Sequence, residues 1–248
     1  NPNSFLRVSF DEKTSQIEDV KRDLRKLDIV EYIQEKEIKV VRPPKDTPTS
    51  ILDQDYLGSP ISGMNIKEGW KKNHGMGQGV NLWICDIDYQ LDHDDLPEQG
   101  LVKIIRGDIK NIKNYDEYHG TGVLGILAGQ GIIVEGICKE ANLLFSSYYY
   151  WDPEDRIRSI DKAVKYLDKN GSPGDIILIE MQDHQDNKKY APIEILSDIS
   201  ALITDAVINL DLIVVEPSGN GSTNLADIEL ETEDNNGINK KKIWDRNN

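Results

Sequence analysis

The chain has 248 residues, 38% of them apolar and 29% charged, with a mean hydropathy of −0.52; this composition supports a buried core and excludes the disordered and fibrous classes. Forty-four acidic side chains against 29 basic ones leave a formal charge of −15, which repels a phosphate backbone and argues against a nucleic-acid partner. No run approaches the roughly 18 to 20 apolar residues that a membrane span needs, and Asn1 opens a polar segment rather than a charged-then-apolar signal.

In chain order, residues 1–42 read as a small β-α-β unit. Residues 5–10 alternate apolar and polar side chains as a half-buried strand does, and Ile17, Val20, Leu24 and Leu27 then recur at helical spacing. Ser15 and Glu18 have the capping-box spacing, in which each side chain satisfies an orphan backbone N–H at the helix start. Residues 30–33 restore the two-residue period, and prolines at 43, 44 and 48 mark a linker over residues 43–55.

From about Gly63 the pattern becomes apolar strands separated by helical stretches, which predicts a mostly parallel sheet covered on both faces. Residues 80–85, 176–181 and 212–215 are apolar runs expected to be central strands buried on two sides. One helix is expected after His119, a second through Ile157, Ile160, Val164 and Leu167, and a third from Ile193 to Val207. Two cysteines, Cys85 and Cys138, have neither CxxC nor metal-ligand spacing, and Cys85 inside its strand reads as a buried free thiol.

Polar chemistry in such a sheet collects at the carboxyl ends of the strands, where three motifs fall. Asp86 directly follows the run 80–85; a carboxylate held there can orient an imidazole and stabilise its cation, although turns and helix caps use aspartate too. His119 begins His119-Gly120-Thr121-Gly122-Val123-Leu124-Gly125, a helix start whose glycines, with Ala128 and Gly129, leave one side open to close backbone approach. Asn220 ends a strand and stands between Gly219 and Gly221, where an amide can donate to a developing oxyanion without titrating, an effect worth about 3 kcal/mol in acyl transfer. Ser-Gly-Asn-Gly is also an ordinary turn sequence.

In this order the three motifs resemble those of the subtilisin-like serine proteases. Gly63-Met64-Asn65-Ile66-Lys67-Glu68-Gly69-Trp70 is similar to the segment that opens that family's catalytic domain, His93-Asp94-Asp95-Leu96 to its His-Pro-Asp-Leu, and residues 136–141 to its Gly-Val-Ala-Pro-x-Ala. The resemblance covers residues 56 to about 221. It implies a three-layer α/β fold preceded by a small α+β prosegment, with residues 56–248 as the N-terminal portion of the catalytic domain. It further implies Asp86 as the orienting acid, His119 as general base and Asn220 as oxyanion donor. Glu180, Met181 and Gln182 would line the strand that pairs with a peptide or protein substrate. A secreted or periplasmic setting and an intramolecular, inhibitory prosegment over residues 1–42 also follow from it, as for a latent zymogen.

The departures are specific. Asp86-Ile87-Asp88 replaces Asp-Ser/Thr-Gly, and Gly122 replaces the second histidine of His-Gly-Thr-His. Residues 129–134 lack the Asn-rich calcium segment, so Asp95 stands as a calcium ligand without partners. No Gly-Thr-Ser-Met-Ala occurs, and Ser222 is only two residues from Asn220. The expectation is a nucleophilic serine on a missing or separate C-terminal segment. The alternative is a catalytically inactive, peptide-binding pseudoprotease. A metallohydrolase built from His93, Asp94, Asp95, His119 and the run 183–186 lacks the HxxxH spacing that places two ligands on one helical face.

Overall fold

The computed structural model describes residues 17–27, 54–61, 63–87, 89, 93–96, 102–104, 117–131, 134–148, 152–185, 189–221, 224–233 and 239–243. The chain divides into two units, residues 40–183 with 192–218, and residues 1–39 with 184–191 and 219–248.

The core of the larger unit is a parallel sheet. Its strands are β1 (Asn81–Asp86), β2 (Val102–Ile104), β3 (Asn142–Ser147), β4 (Ile176–Ile179) and β7 (Ile213–Val215), in the spatial order β2-β3-β1-β4-β7. Every described pairing in it is parallel. The central strand β1 is fully enclosed at Trp83, Ile84, Cys85 and Asp86, so the run is apolar on both faces until the aspartate, as burial on two sides requires.

Alternation along β1 sends successive side chains to opposite faces. Leu82 and Ile84 join Leu143, Phe145, Leu124 and Ala128 in one core cluster, placing α3 (Glu117–Ala128) over that face. Trp83 and Cys85 meet the other layer, α4 (Pro153–Asn170): Trp83 packs at a tilt on Tyr166 with ring centroids 5.2 Å apart, and Cys85 Sγ lies 3.8 Å from Ser159 O. A buried polar knot locks that side, where Trp83 Nε1 donates to Ser146 Oγ at 2.8 Å and Ser146 Oγ meets Ser159 Oγ at 2.7 Å. Helix α5 (Ser197–Asn209) packs beside α4 and against β7. At the end of the sheet away from Asp86, the buried Asp175 carboxylate clamps the start of β1 to the start of β4, accepting from Asn81 N at 2.8 Å and Ser172 N at 2.7 Å.

The short helix α2 (Ile66–Gly69) leads to Trp70, whose Nε1 donates to Ile137 O at 2.8 Å. Beyond α3 the chain doubles back so closely that the backbone N–H groups of Gly136, Ile137 and Cys138 donate to the carbonyls of Gly129, Ile126 and Leu127 at 2.8–2.9 Å. These bonds satisfy the orphan carbonyls of the helix end. Gly136 is obligatory there, because a Cβ on it would lie 2.5 Å from the backbone of Ala128 and Gly129. The glycine-lined side of α3 is thus used as expected at its second half, whereas Gly122 faces open space.

Three expectations shift. Strand β4 ends at Ile179 rather than at residue 181, and residues 182–185 begin β5 (Gln182–Gln185), which forms a two-stranded ladder with β6 (Lys189–Pro192). Ile193 lies in a separate 3-10 turn, and α5 starts only after Leu196, whose ψ of 119° is extended. Strand β7 is last in the described order, and Ile213 and Val215 are 50% and 46% exposed rather than buried on both faces. Strand β3 carried no prior assignment although its Leu143, Leu144 and Phe145 are buried.

In the smaller unit, α1 (Ile17–Leu24) occupies the helix expected there, and β8 (Glu229–Glu233) pairs antiparallel with β9 (Asn239–Ile243), setting Glu231 opposite Lys241. Opposite charges in register stabilise such a ladder. The strands expected at 5–10 and 30–33, the cap at Ser15 and the Pro-rich linker through residue 53 lie outside the described residues. Among those described, no helix is long and apolar enough to cross a membrane.

Candidate active site

Asp86 is the last residue of β1 and Ser147 the last of β3; the two are register partners. Glu180 follows β4, whose Ile179 is the partner of Cys85, and its backbone N–H donates to Cys85 O at 2.9 Å. Strand alternation therefore brings Ser147, Asp86 and Glu180 side by side on the α3 face at the carboxyl end of the sheet.

His119 stands in the first turn of α3 and reaches down onto that row. Its Nδ1 is 2.9 Å from Oδ1 and 3.0 Å from Oδ2 of Asp86. The Asp86 side chain is fully enclosed while that of His119 is 31% exposed, so the imidazole is the only route from solvent chemistry to the buried charge among these two. Oδ1 also accepts from the Ile87 backbone N–H at 2.6 Å, and Asp86 O accepts from Tyr148 N at 3.0 Å. A carboxylate facing Nδ1 with both oxygens makes Nδ1 the proton-bearing nitrogen, which leaves Nε2 as the acceptor of the neutral ring.

Glu180 is a second carboxyl beside the pair. Burial raises its pKa above the ordinary value, the negative charge of Asp86 raises it further, and His119 opposes both. Its carbonyl accepts from Tyr148 Oη at 3.0 Å. Met181 is buried, and Gln182 opens β5 with its carbonyl 3.5 Å from Arg156 Nη1. Asn220 is exposed five residues beyond β7, between Gly219 at φ 109° and Gly221 at φ 89°; it belongs to the smaller unit. The structure thus unites Asp86, His119 and Glu180 and describes Asn220 separately.

Asp88 and residues 186–188 lie outside the described residues. Asp95 holds a loop: its buried carboxylate accepts from Val134 N at 2.7 Å and its carbonyl from Gln130 N at 2.9 Å. His93 Nδ1 accepts from Asp95 N at 3.2 Å. Among the described residues there is no group of three or more His, Cys, Asp or Glu side chains that could hold a metal.

Cys85 is a buried free thiol, as its strand position implies, with its pKa pushed up to about 11 chiefly by burial. Cys138 is also free and is pushed up to about 11 by burial. Neither is a nucleophile in waiting, because the reactive species is the thiolate.

Two residues at this end of the sheet escaped the sequence reading. Ser147 is buried with its hydroxyl unpartnered, and nothing in Leu-Phe-Ser-Ser distinguishes it. Arg156 is buried as well. A signal for it existed: Arg156, Ile160, Ala163 and Leu167 recur at i, i+4, i+7 and i+11, so the inward stripe of α4 begins on an arginine and not on Ile157.

No protein-family model matches the chain, and no curated protein matches it. Among solved structures, it is similar to MycP1 from the ESX-1 type VII secretion system, at 20% identity and a TM-score of 0.44, covering 73% of this chain and 49% of that one. MycP1 from Mycobacterium smegmatis matches at 19% identity and a TM-score of 0.41, covering 72% and 49%. The protease domain of PatA matches at 21% identity and a TM-score of 0.38, covering 56% and 50%. The chain spans about half the length of the solved structures it matches.

Proposed function

We infer that this chain supplies the acid–base pair of a serine endopeptidase that works through an acyl-enzyme. The observation that carries the reading is the contact of His119 Nδ1, at 2.9 and 3.0 Å, with both oxygens of the fully enclosed Asp86. With Nδ1 so fixed, Nε2 takes the proton of a serine hydroxyl as Oγ attacks the peptide carbonyl, and Asp86 stabilises the imidazolium that forms. The same proton passes to the leaving amine. Water then repeats the sequence, giving its proton to Nε2 and releasing the acid and the serine.

Asn220 is the oxyanion donor in this reading, and residues 180–182 are the backbone along which the peptide lies. The serine belongs to a segment outside residues 1–248, since no Gly-Thr-Ser string occurs in them. Half-exposed Ile213 and Val215 on β7 support that part of the proposal, because an apolar strand face of this kind needs a cover. Residues 1–42 act as an inhibitory prosegment in a secreted or periplasmic zymogen, so limited proteolysis within residues 42–50 is expected to raise activity.

A fluorophosphonate probe tests the reading on the full-length protein freed of residues 1–42. It is expected to label one serine outside this sequence, and His119→Ala to abolish the label. Active-site labelling that persists in His119→Ala, or none in the parent, overturns it.

A further inference from the structure

Helix α4 carries two arginines in its first turns, and their surroundings differ. Arg158 is half exposed and meets three carboxylates, Asp152 at 3.0 Å, Asp155 at 3.2 Å and Glu154 at 3.4 Å. Arg156, two residues earlier, is only 7% exposed and has no carboxylate within ion-pair distance among the described residues. Its Nε is buried without a partner. Its one hydrogen bond is the long 3.5 Å contact from Nη1 to the carbonyl of Gln182.

A guanidinium has five N–H donors and is never deprotonated in a protein, so it cannot escape burial by neutralising. Enclosing one without an anion costs several kilocalories per mole in general, and such groups in folded proteins are paired. This chain carries a formal charge of −15, and acids crowd the same turn, yet all of them go to Arg158. The vacancy at Arg156 is therefore one of geometry and not of supply.

The side on which Arg156 makes polar contact is that of Gln182, the segment that follows Glu180 past the His119–Asp86 pair. We propose that Arg156 is a specificity residue that receives the carboxylate of an acidic side chain on a peptide bound along residues 180–182. The inference rests on the peptidase reading of the site and names its substrate class: peptides with Asp or Glu at one position to the side of the bond attacked. Planar carboxylate oxygens match the fork of the guanidinium, and the charge-assisted bonds replace the weak contact to the Gln182 carbonyl.

The test uses the full-length protein freed of residues 1–42, with His119→Ala to block turnover. Fluorescein-labelled octapeptides, amidated at the C-terminus and differing only by Gln or Glu at one position, are titrated by anisotropy. Expected is one position at which Glu binds about tenfold tighter than Gln, with the preference lost in Arg156→Gln and partly kept in Arg156→Lys. Arg156→Met is expected to melt no lower than the parent, since it removes an unpaired buried charge. Peptides that bind with no such position, or a preference that survives Arg156→Gln, or a Met variant that melts well below the parent, overturn the inference and leave the peptidase reading standing. A folded protein that binds none of the peptides overturns both.

Discussion

Asp86 lies inside the sheet with the Ile87 N–H and the His119 ring both facing its carboxyl group. Under the proposed mechanism, replacing it by Asn keeps the shape while an amide N–H turned to Nδ1 enforces the wrong tautomer, and fluorophosphonate labelling is expected to slow by about four orders of magnitude. Glu180 gives a pH-dependent signature. Its folded pKa lies above the ordinary 4.5, so its favourable contribution is complete below that value and is lost as pH rises through the raised one. Glu180→Gln should therefore leave the melting temperature nearly unchanged in acid and raise it at neutral pH, and an equal shift at both would refute burial as the cause. On the opposite face, Ser146→Ala strips Trp83 Nε1 of its acceptor, which should cost about 1–3 kcal/mol in denaturant titrations.

At the scale of elements, the dyad depends on α3 being held from behind. The chain after the helix packs against it through Gly136, whose missing Cβ leaves room for the Ala128 and Gly129 backbone 2.5 Å away. Gly136→Ala forces that layer outward and is expected to destabilise by about 1–3 kcal/mol. Because the displaced element carries His119, the labelling rate should fall along with the unfolding midpoint; a loss of stability with labelling intact would show that α3 does not depend on this contact. The helix itself was readable from Val123, Leu124 and Leu127 after His119, and α4 from its apolar stripe. Strand β3 was not singled out because an apolar run as short as Leu143-Leu144-Phe145 suits strand and buried helix alike. The β8–β9 ladder hid in a polar tail because its register partners, Glu231 and Lys241 among them, lie across strands rather than along one.

For the whole molecule, the five-stranded order leaves β7 with an open apolar face. Ile213→Ser and Val215→Ser should each change the stability of residues 1–248 by no more than about 0.5 kcal/mol, as exposed sites do. In the full-length protein the same changes should cost several times more, measured by the same denaturant titration, if a further segment covers β7.

The parallel sheet and the place of Asp86 at the end of its strand were legible in the order of residues, because strand burial and strand-end position are local, periodic properties of the chain. Only the tertiary structure brought Glu180 and Ser147 to either side of Asp86, exposed β7 and buried Arg156 without an anion. Each of these depends on which strands become neighbours and which helix face meets them, and that is settled by packing between residues far apart in sequence.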